Sequence, residues 1–202
     1  MTAPPQAQRA LSSEGPVLVD VLTSAFGDEP LLNWWLKQGA AKERARRGFF
    51  EHAVNGGIHP KAEFWLVGND AAAIWTPPGA TAFDLSPLAT LLVMPRLLSI
   101  AGFTGLRRAL DLGAVLTAHH PSEPHAHLVF LGVRPERQGQ GLGSVILKRT
   151  LADVDAARLP AYLETATEAN VRLYERHGFE VRAELRCAPN GPRFWTMLRP
   201  AR

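Results

Sequence analysis

"VRPERQGQGLGSVIL", Val133 to Leu147, is the stretch on which the fold turns. An apolar, strand-like run, "HAHLVFLGV" from His125 to Val133, leads into it. A helix-like run follows from about Gly141 to Arg158, with Leu147, Leu151 and Val154 on one face. Between the two stand Gly139, Gly141 and Gly143, separated only by Gln140 and Leu142. Glycine at that density costs backbone entropy, so bare backbone is needed there. A glycine loop that opens a helix turns several N–H groups outward and adds the partial positive charge of the helix N-terminus. Together these make an anion site suited to phosphate. Arg137 adds a guanidinium with bidentate geometry.

Spacing separates the known kinds of phosphate loop. Gly143 is followed by Ser144 with no lysine, so the loop is not of the Gly-Lys-Ser/Thr kind. Its spacing is G-x-G-x-G and its strand lies late in the chain, which excludes the dinucleotide fingerprint G-x-G-x-x-G. What remains is Q/R-x-x-G-x-G/A after a strand and opening a helix. Gln138, Gly139, Gln140, Gly141, Leu142 and Gly143 fit that pattern at each defined position.

Outward from the loop, the second half reads strand, loop, helix, strand, helix, strand, strand. "AYLETAT" (Ala161 to Thr167) is a strand and "EANVRLYERHG" a short helix ended by Gly178. Two last strands cover about Phe179 to Arg186 and Arg193 to Leu198. In the first half, residues 1–7 form a flexible tail and a short strand covers about Gln8 to Leu11. "SSEGPVLVDVLTSAFGDEP" is a helix capped by Ser12 or Ser13, with Pro16 in its first turn. Helices over "PLLNWWL" and about Ala41 to Asn55 follow. "EFWLVGNDAAAIWTPP" is a hairpin turning at Gly68 and Asn69. Residues 84–118 form a helical insertion that Pro95 and Gly102 break into amphipathic pieces. Its Leu88, Leu91 and Leu92, and its Leu106, Leu110 and Leu116, are the faces expected to pack on a sheet.

Composition sets outer bounds. The 202 residues suit one domain, and 46% hydrophobic with 20% charged residues is a globular balance. A net charge of +3 is small, and "KERARR" (Lys42 to Arg47) reads as a solvated helix face, so no nucleic-acid partner is expected. The single cysteine, Cys187, allows neither an internal disulfide nor a cysteine metal site. No apolar run reaches the roughly 18–20 residues of a membrane span. The start "MTAPPQAQRA" lacks the apolar core of a signal peptide. A soluble, cytoplasmic protein, monomer or homodimer, is the expectation. His119, His120, His125 and His127 fall within nine residues, and His125 and His127 share a strand face. No carboxylate or cysteine set completes a metal site around them, so no metal is expected.

The glycine loop, with "LPAYLETATEANVRLYERHGFEV" after it, resembles the GCN5-related N-acetyltransferase (GNAT) superfamily. The nearer likeness is to its puromycin N-acetyltransferase-like, small-molecule group, through "AFGDEP", "AAAIWTPP", "HHPSEPH", "RQGQGLGS", "NVRLYERHGF" and "GPRFWTMLRP". The resemblance is strong from about His119 onward and patchy before it. It implies a single α/β (α+β) domain over 8–202. The sheet would be mixed and mostly antiparallel, with helices on both faces and a splayed parallel pair near 125–133 and 161–167.

It implies acetyl transfer from acetyl-CoA to a primary amine. Gln138 to Ser144, with Arg137, would hold the pyrophosphate. The backbone of Leu131, Gly132 and Val133 would pair with the pantetheine arm, and the Val133 N–H would polarise the thioester carbonyl. Asn170 would bond the cofactor. Tyr174 would be the general acid, since an ordinary tyrosine is protonated at neutral pH. Glu164, at the end of a strand, would be the general base, its proton affinity raised by apolar surroundings. Asp28, Trp34, Trp75 and His125 would meet a cationic, partly apolar small amine. Acetylation of a protein or polyamine, or silent CoA binding as a sensor or scaffold, are the alternatives.

Overall fold

The computed structural model describes residues 4–80, 82–83 and 87–202. The first three residues of the tail and positions 84–86, where the helical insertion was expected to begin, lie outside the described residues.

Among the described residues seven strands form one sheet: β1 (Gln8–Arg9), β2 (Glu63–Val67), β3 (Ala71–Thr76), β4 (Ala126–Val133), β5 (Ala161–Thr165), β6 (Glu180–Arg186) and β7 (Arg193–Arg199). Their order is β1-β2-β3-β4-β5-β7-β6, and only β4 and β5 run parallel. The β2–β3 hairpin turns where expected, with Gly68 at φ +51°. The first-half helices α1 (Gly15–Ala25), α2 (Pro30–Trp35), α3 (Lys42–His52) and α4 (Pro87–His119) belong to one face. There Leu22, Phe50, Leu66 and Ile74 are fully buried. The other face carries α5 (Leu142–Ala156) and α6 (Glu168–Glu175), over Trp65, Leu128, Ile146, Leu147 and Leu163. Strand alternation sorts the two sets: Ala71, Ala73 and Trp75 point to α5, while Ala72 and Ile74 point to α1.

Three local expectations change. Neither Ser12 nor Ser13 caps α1; residues 12–14 make a 3₁₀ turn, and the Glu14 carboxylate accepts from the Leu11 N–H at 2.7 Å. A carboxylate makes the stronger, charge-assisted acceptor. Pro95 does not break α4, which continues through it and kinks only at Gly102. The carbonyl that a proline deprives of its partner is that of Leu91, on a residue that is 69% exposed. Finally, α4 packs on α2 and α3 rather than on the sheet, leaving Leu88, Leu91, Leu92 and Leu110 exposed; Ile100, Ala101 and Leu112 are buried instead. No helix among the described residues is long and apolar enough to cross a membrane.

Two contacts fix the layers around β4. Phe130 on β4 meets Phe26 at 5.5 Å and Phe50 at 5.3 Å, edge to face, which seats α1 and α3 on the strand. Beside it, a Cβ at Gly132 would lie 2.7 Å from the Ala25 Cβ and 3.3 Å from Leu22. Glycine is needed at 132 because α1 lies against the backbone there. Gly132→Ala should therefore destabilise the fold by about 1–3 kcal/mol through overpacking. Urea denaturation checks this, and wild-type stability would show that α1 is free to shift.

Candidate active site

The chain leaves β4 through a 3₁₀ turn, Pro135–Arg137, and enters α5 through Gly139 (φ +75°) and Gly141 (φ +80°). Both glycines hold left-handed backbone, with open space where a side chain would stand. The first bond within α5 runs from the Val145 N–H to the Gly141 carbonyl at 3.0 Å. The N–H groups of Leu142, Gly143 and Ser144 come before it and have no partner within the helix. A Cβ added at Gly143 would lie 3.7–3.8 Å from Leu173, Leu131 and Val133, so the helix start is packed between β4 and α6.

Side chains brace the loop from behind. Gln138 Nε2 donates to the Val133 carbonyl at 3.2 Å, and Arg134 bonds Asp20 and the Asn69 carbonyl. Arg137 pairs with Asp70 at 3.2 Å, so part of the charge expected to face an anion is already balanced. Ser144 Oγ meets His177 Nε2 at 3.0 Å, tying α5 to the end of α6.

Strands β4 and β5 pair only from Ala126–Ala161 to Leu128–Leu163. At that point β4 bulges: Val129 falls between the pairs Ile74–Phe130 and Trp75–Leu128. Beyond it, Phe130 to Val133 keep β3 on one side, while Glu164 and Thr165 pair with β7. A bulge bends its strand, and here it marks the point of separation. One edge of the β4 backbone from Val129 to Val133 is thereby left without a strand. The bulge gives no signal in the sequence.

Glu164 lies beside this separation. Its Oε2 accepts from His127 Nε2 at 2.8 Å, both side chains being nearly enclosed (14% and 7% exposed). Tyr162, two residues earlier on the same face, is encircled by the rings of His120, His125 and His127 at 5.0, 5.4 and 5.2 Å. His120 and His125 join through their Nε2 atoms at 3.1 Å, and His125 Nδ1 donates to the Glu123 carbonyl at 2.7 Å. The proton affinity of Glu164 runs opposite to the expectation. Burial alone raises it, but the charge and hydrogen bond of His127, with Tyr162 and His120, bring it below the ordinary value. The strand context is apolar in sequence; the surroundings in space are imidazole. Burial pushes His120 and His125 down, favouring neutral rings, and pushes the Tyr162 phenol up.

The other expected residues are spread more widely. Tyr174 on α6 is buried among α5-side apolar groups, 5.8 Å from Phe179, and burial raises its pKa. Asn170 is exposed in the first turn of α6. His125 belongs to the histidine cluster. Trp75 lies in the α5-side core, on the sheet face opposite Glu164, so it does not join that group. Trp34 stacks under the Arg108 guanidinium at 5.5 Å, and Arg108 also donates to its carbonyl at 2.9 Å. Asp28 is fully exposed, 3.7 Å from Lys42. Its neighbour Glu29 is the group turned inward, capping α2 through the Leu31 and Leu32 N–H groups at 3.1 and 2.6 Å.

A cleft of about 470 Å³ opens beyond β5, lined by Pro30, Ala166, Glu168, Arg186, Arg193 and Trp195. Ala166 is two residues past Glu164. Sequence reasoning did not find His120, His127 or Tyr162; the signal was the histidine group itself, set aside for want of a carboxylate that β5 supplies. Among the described residues no set of three His, Cys, Asp or Glu is arranged to hold a metal ion.

Known proteins agree with this architecture. Residues 63–179 match the family model described as Acetyltransferase (GNAT) family. A histone acetyltransferase HPA2 and related acetyltransferase from Corynebacterium glutamicum is 23% identical, covering 99% of this chain and 98% of its own, with a TM-score of 0.75. A polyamine N-acetyltransferase from Drosophila melanogaster that forms N-acetylagmatine is 17% identical (96% and 99% covered, TM-score 0.64). An agmatine N-acetyltransferase is 18% identical (95% and 97%, TM-score 0.63). At these identities the structures establish the fold, and the family model, which spans more than half of the chain, establishes the kinship. The chain belongs to the GNAT family of N-acetyltransferases.

Proposed function

We propose that the protein transfers an acetyl group from acetyl-CoA to the primary amine of a small molecule. The observation that carries this reading is the open edge of β4. Five residues of β4 with one edge free of a strand lead, through the loop at 134–141, into a helix start whose first three N–H groups have no partner within the helix. A pantetheine arm followed by a pyrophosphate has the same order of needs: an amide partner first, then an anion site.

Acetyl-CoA supplies the activated acyl carbon. The residues Gln138 to Ser144 hold the pyrophosphate, with Arg137 beside them and Asn170 bonding the cofactor across the gap. An N–H on the free edge between Val129 and Val133 polarises the thioester carbonyl. The amine enters through the cleft beside Trp195 and Glu168, which brings it to Glu164. Fixing both partners removes much of the entropic cost of their encounter. Glu164 takes the ammonium proton, and Tyr174, kept protonated by burial, donates to the departing thiolate. Polyamine-like and agmatine-like amines are candidates because the polyamine and agmatine N-acetyltransferases share this fold. Puromycin-like amines are candidates from the sequence resemblance.

Thiol release from acetyl-CoA over an amine panel containing puromycin, agmatine and spermidine tests the reading. Turnover with at least one small amine is expected; none with any amine would overturn it. Tyr174→Phe should lower kcat by about 10²-fold or more while leaving the KM for acetyl-CoA nearly unchanged. An unaltered kcat would remove Tyr174 from the reaction. Gly141→Val forces a β-branched residue into left-handed backbone and should raise the KM for acetyl-CoA by about tenfold or more. Steady-state kinetics at saturating amine read it, and an unchanged KM would move the pyrophosphate elsewhere.

A further inference from the structure

The histidine cluster holds more chemistry than a single base needs, and its hydrogen bonds determine its protonation pattern. The Glu123 carbonyl can only accept, so His125 Nδ1 carries a proton. In a neutral His125 the Nε2 atom is then an acceptor, and the proton between the two rings belongs to His120 Nε2. The Glu164 carboxylate likewise only accepts, so His127 carries a proton on Nε2, with Nδ1 as the ring's other nitrogen. That Nδ1 is fully enclosed and has no hydrogen-bond partner among the described residues. Thr76, His127 and Tyr162 stand in one row across β3, β4 and β5, and the Thr76 hydroxyl is also enclosed without a partner, while the Tyr162 hydroxyl is directed at Glu164. Buried polar atoms without partners are costly to a fold.

We propose that His127 is the positioning residue of the proton acceptor: it fixes the Glu164 carboxylate through Nε2–H and thereby sets the pH at which the enzyme becomes active. The proposal rests on the reading of Glu164 as the group that takes the ammonium proton. In that step the ammonium N–H bond breaks and its electron pair stays on nitrogen for attack on the thioester carbon. The proton bonds to a carboxylate oxygen. A buried carboxylate with no donor would hold its own proton too tightly to be available as a base near neutral pH. The donor from His127 stabilises the ionised form, so the base is ready over a wider pH range. The titratable groups facing Glu164 are His120, His125, His127 and Tyr162, with Glu123 behind His125; β3 contributes Thr76 and β7 contributes Thr196, both uncharged. With His120 and His125 neutral, His127 is the neighbour that bonds the carboxylate directly.

The test separates position from packing. His127→Phe removes the donor and keeps a ring, whereas His127→Gln keeps a donor. In His127→Phe the proton affinity of Glu164 should rise, moving the acidic limb of kcat/KM to higher pH by about one unit or more. His127→Gln should hold the limb near its wild-type position. A limb unmoved in His127→Phe overturns the proposal, because lost packing alone would lower the rate at every pH. Two readouts need no substrate. The Glu164 side-chain carboxyl, followed by ¹³C NMR, should titrate higher in His127→Phe than in wild type. In wild-type protein at neutral pH, the ¹⁵N shifts of His127 should show Nε2 protonated; an unprotonated Nε2 overturns the proposal even if His127→Phe fails to fold. If the NMR results hold and no amine is acetylated, the proposed activity fails while the His127–Glu164 coupling stands.

Discussion

Everything at the candidate site depends on two parallel strands that stay together for only three residue pairs. From Ala126–Ala161 to Leu128–Leu163, β4 and β5 are ordinary sheet neighbours. The bulge at Val129 ends that, and each strand keeps only its outer partner, β3 for one and β7 for the other. Backbone hydrogen-bonding groups inside a protein are nearly always paired. A strand edge opened in the middle of a sheet is therefore a costly feature, maintained by the packing on either side of it. Phe130 against Phe26 and Phe50 holds β4 from one face, and the start of α5 around Gly143 holds it from the other.

The same separation gathers the polar groups. Just before it, the close pairing of β4 and β5 sets His127 beside Tyr162 and within a hydrogen bond of Glu164. Just after it, the open edge runs toward the glycine loop. A proton acceptor and an acyl-donor surface thus lie on opposite sides of one bulge. The Arg199 side chain supports this frame from behind, bonding both Asp155 oxygens at 2.6 and 2.8 Å and the His177 carbonyl at 3.0 Å. It joins β7, α5 and the turn after α6 with a buried guanidinium, and Asp155 is held below the usual carboxylate range mainly by those hydrogen bonds.

The parts of this arrangement legible in the sequence are those written locally. Alternating glycines announced the loop, Gly68 and Asn69 the hairpin, and apolar spacing the order of strands and helices through the second half. Each is a demand of backbone conformation or burial that a few adjacent residues express. What stayed hidden depends on pairing at a distance. His127 and Glu164 are 37 positions apart, and only the parallel register unites them. The carboxylate missing from the histidine group, and the imidazoles missing from the surroundings of Glu164, were the same pair seen from each end. The helical insertion misled for another reason. Its leucines repeat as on a buried helix, yet α4 rests on α2 and α3 and turns Leu88, Leu91 and Leu92 outward. Periodicity reveals that a face exists, and the elements packed against the helix, here α2 and α3, determine which face is covered.

The account's central claim is that the gap between β4 and β5 receives the acyl donor. A crystal structure of the protein with CoA tests it most directly. The pantetheine should lie along Val129 to Val133 as an added strand beside β3, with the pyrophosphate at Gly139 to Ser144 and the sulfur between Glu164 and Tyr174. CoA bound away from that edge, with β4 and β5 still apart and empty between them, would contradict the account.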